Sequence, residues 1–173
     1  MKVSRAQQAE NREKIVASAS RLFRERGLEA VTIAEIMGDA GLTHGGFYGH
    51  FPSKTALMVE ALALGPAVPQ GDLKDVAKAY LTPAHRDAVG LGCPYAALGG
   101  ETARLAADDR AVVTARLKAR LDALSGEGDP AKRRWAIAGW SAMVGALMLS
   151  RISADPALSD EILAETRRAF GAA

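Results

Sequence analysis

Residues 32–57, TIAEIMGDAGLTHGGFYGHFPSKTAL, decide how this chain reads: two short helices meet at a glycine turn, and the start of a further helix follows. Thr32 and Glu35 have the spacing of a capping box, in which each side chain satisfies an orphan backbone donor at the head of a helix running to about Ala40. Ile33, Ala34, Ile36 and Met37 supply its apolar contacts. Gly41 stands where a left-handed residue ends a helix, and Leu42 is the apolar residue that a tight helix-turn-helix buries under its turn. Thr43 is placed to cap the second helix, residues 44–50, and Pro52 stops it.

That second helix is poorly made for a freestanding element. Gly45, Gly46 and Gly49 each cost roughly 1 kcal/mol relative to Ala in a helix interior. Phe47 and Phe51, four apart, anchor one face to a core, while the glycines leave a face without side chains that can approach a groove or a phosphate closely. Tyr48, His50 and Lys54 offer a phenol, an imidazole and an ammonium, all donors to phosphate oxygens. The candidate contacts to double-stranded DNA are thus Thr43, Tyr48, His50 and Lys54 for phosphates and His44, Gly45 and Gly46 for base edges, with Thr32 at the head of the supporting helix.

On these residues, the segment 12–62 resembles the N-terminal DNA-binding domain of the TetR family of bacterial transcriptional regulators. The likeness rests on Ile15, Ala19, Leu22 and Phe23 in an opening helix, then Gly27, Thr32, Ile36, Ala40, Gly41, Thr43, Gly45, Tyr48, His50, Phe51, Ser53, Lys54 and Leu57. The chain departs from the family pattern at Gly46, where Thr, Ser or Ala is usual, and at Thr55, where an acidic residue is usual. Gly46 removes a common hydroxyl contact, which shifts base readout toward His44. The resemblance implies an all-α protein: an N-terminal three-helix helix-turn-helix domain, residues 1–65, joined to a C-terminal helical ligand-binding and dimerisation domain, residues 66–173. It further implies a homodimer on a pseudopalindromic operator, acting as a repressor that a small-molecule effector releases.

Composition agrees with that reading without proving it. The net charge is +2, and Lys and Arg number 8 against 7 Asp and Glu through Gly65, so binding depends on where charges sit rather than on a bulk basic field. Lys2 and Arg5 form a mildly basic N-terminal arm. One cysteine excludes an intrachain disulfide framework and a cysteine-rich zinc site, and His44, His50 and His85 do not pair on one helical face; no metal or cofactor is expected. No cleavable signal pattern opens the chain, which points to the cytoplasm. The apolar run 135–149 is shorter than the roughly 20 residues a bilayer core requires, so a buried helix is expected rather than a membrane span.

Past Gly65 the pattern changes. Gly65, Pro66, Pro69 and Gly71 break it, Asp72 opens a helix to about Leu81, and a loop through Pro83, His85, Gly90 and Gly92 follows. Pro94 starts a helix to about Ala107, and Asp108 or Asp109 caps another to about Leu124. Asp129 with Pro130 and Asp155 with Pro156 open the last two, ending near Ile152 and Phe170. The penultimate helix carries Trp135, Ile137, Trp140, Met143, Val144, Leu147, Met148 and Ile152, more apolar surface than one packed face needs, with small residues between. In the resembling family the last two helices form a four-helix dimer interface.

Tyr80, Cys93, Tyr95, Leu98, Trp140 and Met143 are the candidate effector-binding residues, with Glu101 or Arg104 as a polar contact. The run GCPYAALGGE, residues 92–101, resembles one that begins a helix beside the ligand cavity in a branch of TetR-like regulators. Cys93, just before Pro94, admits an alternative, an electrophile- or redox-responsive repressor; against it stands a buried thiol serving the helix start. A helical protein-binding adaptor is the other alternative, but it leaves the turn and phosphate donors unexplained. An enzyme is not expected: residues 139–143, GWSAM, fail the nucleophile-elbow pattern at the last glycine and sit inside a helix.

Overall fold

The computed structural model describes residues 4–64, 71–126 and 128–172, and among these it holds helices and no strand. Helix α1 (Arg5–Arg26) is capped by Ser4, whose Oγ accepts from the Gln7 N–H at 3.1 Å. Its buried Ile15, Ala19, Leu22 and Phe23 recur at helical spacing and build the first core. Lys2 of the basic arm lies outside the described residues, and Arg5 belongs to the first turn of α1. Helices α2 (Ile33–Asp39) and α3 (Lys54–Ala63) pack on α1 around Ile36, Met37, Phe47, Phe51 and Leu57.

The second half contains α4 (Leu73–Tyr80), α5 (Pro83–Asp87), α6 (Pro94–Thr102), α7 (Ala107–Ser125), α8 (Pro130–Ile152) and α9 (Pro156–Ala169). Asp72, Asp129 and Asp155 cap α4, α8 and α9 as their spacing predicts. The expected loop over residues 83–92 instead forms α5, capped by Thr82, and a 3-10 turn Val89–Leu91, because Pro83 pre-sets the first helical φ. Helix α6 stops at Thr102, short of the expected Ala107, and α7 is preceded by Ala106, leaving Asp108 and Asp109 in its first turn, where they oppose the helix dipole's positive end. A second core gathers Val76, Tyr80, Leu81, Cys93, Trp140, Met143, Leu147 and Leu163.

Three polar ties join the halves, and two more bind α1 to the end of α3. From α1, Arg24 Nε donates to Gly90 O at 2.7 Å and Arg24 Nη1 to Leu64 O at 3.0 Å. Ser20 Oγ donates to Ala61 O at 2.9 Å, locking α1 to α3. The Leu28 N–H donates to Glu101 Oε1 of α6 at 2.9 Å, and Arg116 of α7 donates to Ala63 O at the end of α3. Glu101 therefore faces the first domain rather than a cavity, and it does so because a buried backbone donor needs an acceptor. The division expected at residues 65 and 66, with the breakers Gly65, Pro66 and Pro69, lies outside the described residues.

Candidate nucleic-acid interface

The supporting helix α2 is held at both ends. At its head, Thr32 Oγ1 accepts from the Glu35 N–H at 3.2 Å, and Glu35 Oε2 accepts from the Thr32 N–H at 2.8 Å and the Thr32 hydroxyl at 2.7 Å. These bonds, with the Arg26 guanidinium at 2.8 Å, lower the Glu35 carboxyl to about 2. The Thr32 hydroxyl is thus committed inside the cap. At its tail, Gly41 has φ +71, its N–H donates to Gly38 O and the Leu42 N–H donates to Met37 O, the two bonds of a Schellman stop.

After the turn, residues His44–Gly49 form a 3-10 helix rather than the expected α-helix, tightened by Gly46 N–H to Thr43 O and His50 N–H to Phe47 O. Thr43 stands at the N-cap in extended conformation but its side chain makes no capping bond, which leaves the exposed hydroxyl available. Phe47 is fully buried and stacks on Phe51 at 5.9 Å, pinning the segment to the core. Tyr48 points the other way, 68% exposed, and meets Phe47 edge-on at 5.2 Å. His44, Gly45 and Gly46 share the exposed surface.

The glycines of this segment have no intramolecular cause. Gly45, Gly46 and Gly49 are outside the positive-φ residues, and a Cβ at Gly45 or Gly49 would meet nothing within 4 Å, while one at Gly46 would make ordinary contact with Met37 and Thr43. Behind the segment, Ser53 caps α3 by accepting from the Ala56 N–H at 3.0 Å, so the first amides of α3 and the Lys54 ammonium stand together. Lys54 Nζ makes one long bond, 3.4 Å, to Glu29 O and lies 6.0 Å from the Phe23 ring centroid. His50 has a buried Nδ1 without a hydrogen-bond partner among the described residues. The structure thus brings Thr43, His44, Gly45, Gly46, Tyr48, His50 and Lys54 onto one short stretch, with Thr32 one helix behind. Sequence reasoning did not find Gln8, whose side-chain amide reaches Gly49 O at 3.5 Å from α1.

The candidate effector residues divide. Tyr80, Cys93, Trp140 and Met143 lie in the second core with Tyr95 against it, whereas Leu98 packs in the first core beside Phe23 and Leu57. Leu98 therefore stands apart from the other candidates: α6 runs between the cores, and three residues past Tyr95 its side chain packs in the other one. Tyr80 and Tyr95 flank Trp140 at 5.2 and 6.2 Å. Burial, then the adjacent Cys93 thiol, pushes the Tyr80 phenol up. Cys93 is 3% exposed and its sulfur makes no capping bond; its N–H donates to His85 Nε2 at 3.1 Å. Because Nε2 accepts, His85 carries its proton on Nδ1, which donates to Tyr80 O at 2.7 Å, and burial pushes its pKa down.

A rigid three-helix unit that presents a short exposed helix after a Schellman turn, with cationic and phenolic donors behind it, defines a helix-turn-helix regulator. Residues 15–61 match the model described as "Bacterial regulatory proteins, tetR family". The uncharacterized HTH-type transcriptional regulator YerO of Bacillus subtilis is 44% identical over 52 residues, 30% of this chain and 18% of that protein. The HTH-type transcriptional repressor KstR2 of Mycolicibacterium smegmatis is 37% identical over 57 residues, 33% of this chain and 28% of its own length. The matched segment spans under a third of either relative. A TetR transcriptional regulator from Chloroflexus aurantiacus superposes with a TM-score of 0.70 at 25% identity, covering 95% of this chain and 94% of that one. Residues 15–61 thus carry a tetR-type DNA-binding domain, and the chain as a whole shares the fold of that TetR transcriptional regulator.

Proposed function

We propose that the protein is a transcriptional repressor that binds a pseudopalindromic DNA operator as a homodimer and is released by a small-molecule effector. Domain 1–65 reads DNA; domain 66–173 dimerises and takes the effector. The observation that carries the reading is the exposed glycine surface of the His44–Gly49 segment, where a side chain at Gly45 or Gly49 would meet nothing within 4 Å while Phe47 pins the segment from behind. A surface kept free of side chains and flanked by Tyr48 and Lys54 suits close approach to a phosphate backbone. His44 is the leading base-reading side chain, and the protein acts in the cytoplasm with its DNA.

Dimerisation is supported by α8. Its length and composition would let it cross a membrane, but one side packs on α7 and α9. Its other side exposes Trp135, Ala138, Ala142, Leu149 and Ile152, with half-buried Gly145 between them, at alternating spacings of three and four. Bulky ends around small central residues permit close helix approach, and α9, which packs on α8, also exposes Leu158. A two-fold pairing through this stripe presents two reading segments to successive major grooves, about one helical turn apart. Selection of bound sequences from random duplexes tests the reading. Enrichment of a two-fold symmetric motif is expected; an asymmetric motif or no enrichment refutes it.

A further inference from the structure

Where the two halves meet lies a cavity of about 190 Å3, walled by Leu62 of α3, Pro94, Tyr95 and Gly99 of α6, and Val113 and Leu117 of α7. Leu62 and Pro94 are buried, whereas Ala103, Arg110 and Thr114 along its edge are exposed, so the space opens to solvent on one side. Tyr95 is the one candidate effector residue along it; Tyr80, Trp140 and Met143 pack in the second core instead. Gly99 turns this space into a site. It stands inside α6, where glycine weakens a helix relative to alanine, and it does not have positive φ. A Cβ there would meet nothing within 4 Å. Neither backbone conformation nor packing within the chain accounts for this glycine, and a larger side chain would occupy the cavity that it lines.

The chemistry of the lining selects the occupant. Leu62, Pro94, Val113 and Leu117 present hydrocarbon, and no carboxylate stands among the described residues along the cavity. Arg110 lies on the exposed side, where water solvates its charge. An ion entering against the hydrocarbon wall gives up hydration that nothing there replaces, whereas an apolar body gains by leaving water. A dry cavity of about 150 Å3 accommodates benzene, so the volume suits a single ring or a short chain. We infer that this cavity takes a small uncharged molecule with such an apolar body, seated on Gly99 against Leu62, Val113 and Leu117. The inference rests on the effector-response reading and gives that effector its chemical class. It also supplies a route to DNA. Leu62 belongs to the first core with Leu57, and its neighbour Ala63 accepts from Arg116 of α7. A molecule bound here touches both halves at once, so a difference in their spacing between the DNA-bound and free forms becomes a difference in its affinity.

The test titrates the full chain with para-fluorotoluene, para-fluorobenzoate and para-fluorobenzylammonium and follows the fluorine NMR shift of each. Saturable binding of para-fluorotoluene is expected, at least about tenfold tighter than either ion. Gly99→Leu fills the space with a good helix former and should weaken para-fluorotoluene by about tenfold or more without lowering Tm, a split that general loss of packing does not give. Gly99→Ala carries only a methyl into the same space; its affinity should fall between the two, and it decides the matter where the leucine variant does not fold. Equal or tighter binding of an ion, no saturation by para-fluorotoluene, or Gly99 variants that bind it as tightly as the wild type overturn the inference. Addition of para-fluorotoluene to the DNA complex separates the two readings. Release of the wild type but not of Gly99→Leu supports both, whereas binding without release keeps the apolar site and overturns its coupling to α3.

Discussion

Adding one methyl group at Gly45 should raise stability while it lowers DNA affinity, an opposition that few substitutions offer. A Cβ there meets nothing within 4 Å and Gly45 does not have positive φ, so Gly45→Ala fits the native backbone. Restricting the unfolded chain then stabilises by about 0.4–1 kcal/mol. For a chain of this length, that corresponds to a rise in Tm of about 1–4 °C. The same methyl projects from the surface that is to lie against DNA, where it blocks close approach, and a loss of about tenfold or more in affinity, about 1.4 kcal/mol, is expected. Thermal unfolding and fluorescence anisotropy with a selected duplex measure the two effects on one preparation. Binding unchanged within about twofold, well under 1 kcal/mol, places the DNA contact elsewhere, and a lowered Tm contradicts the open space at Gly45.

Lys54→Ala should weaken specific and nonspecific duplexes alike and reduce the salt slope by about one for each lysine removed; an unchanged slope takes Lys54 out of the phosphate contacts. Tyr48→Phe removes only the exposed hydroxyl and should weaken both duplex types without altering the fold, which equilibrium binding and circular dichroism together check. Leu149→Asp puts a charge on the exposed α8 stripe, where Leu149 is 56% exposed, and should yield folded monomers; sedimentation of the wild type as a monomer at micromolar concentration removes the interface. Glu35 has a folded pKa of about 2 against an ordinary 4.5, so its stabilising contribution is full above about 4.5 and is lost as pH falls toward 2. The Tm difference between wild type and Glu35→Gln should therefore shrink between pH 5 and pH 3, and a constant difference refutes the capping role.

Much of the fold was legible because its punctuation is local. Thr32 with Glu35, Gly41, and the Asp-Pro pairs at 129–130 and 155–156 act on backbone groups within four or five residues, so their effect can be read from spacing alone. The proximity of Thr43, Tyr48, His50 and Lys54 follows from the same locality: a turn and a helix start bring together residues that are already close in the chain.

What remained hidden depends on residues far apart in the chain. Whether residues 44–49 wind as α or 3-10 depends on how Phe47 and Phe51 seat among Met37 and Leu57, and periodicity carries no such information. Leu98 and Tyr95 read as partners on one helix, yet they serve different cores because α6 passes between them. Glu101 finds the Leu28 N–H, Arg24 finds Gly90 O and Arg116 finds Ala63 O, each across more than fifty residues. By itself the sequence determined the caps of α2, α4, α8 and α9 and the glycine stop after α2, since those follow from backbone hydrogen bonding over a few residues. Only the tertiary structure decided which buried donors and charges face one another, because that choice is made by the packing of helices that meet only once the chain has folded.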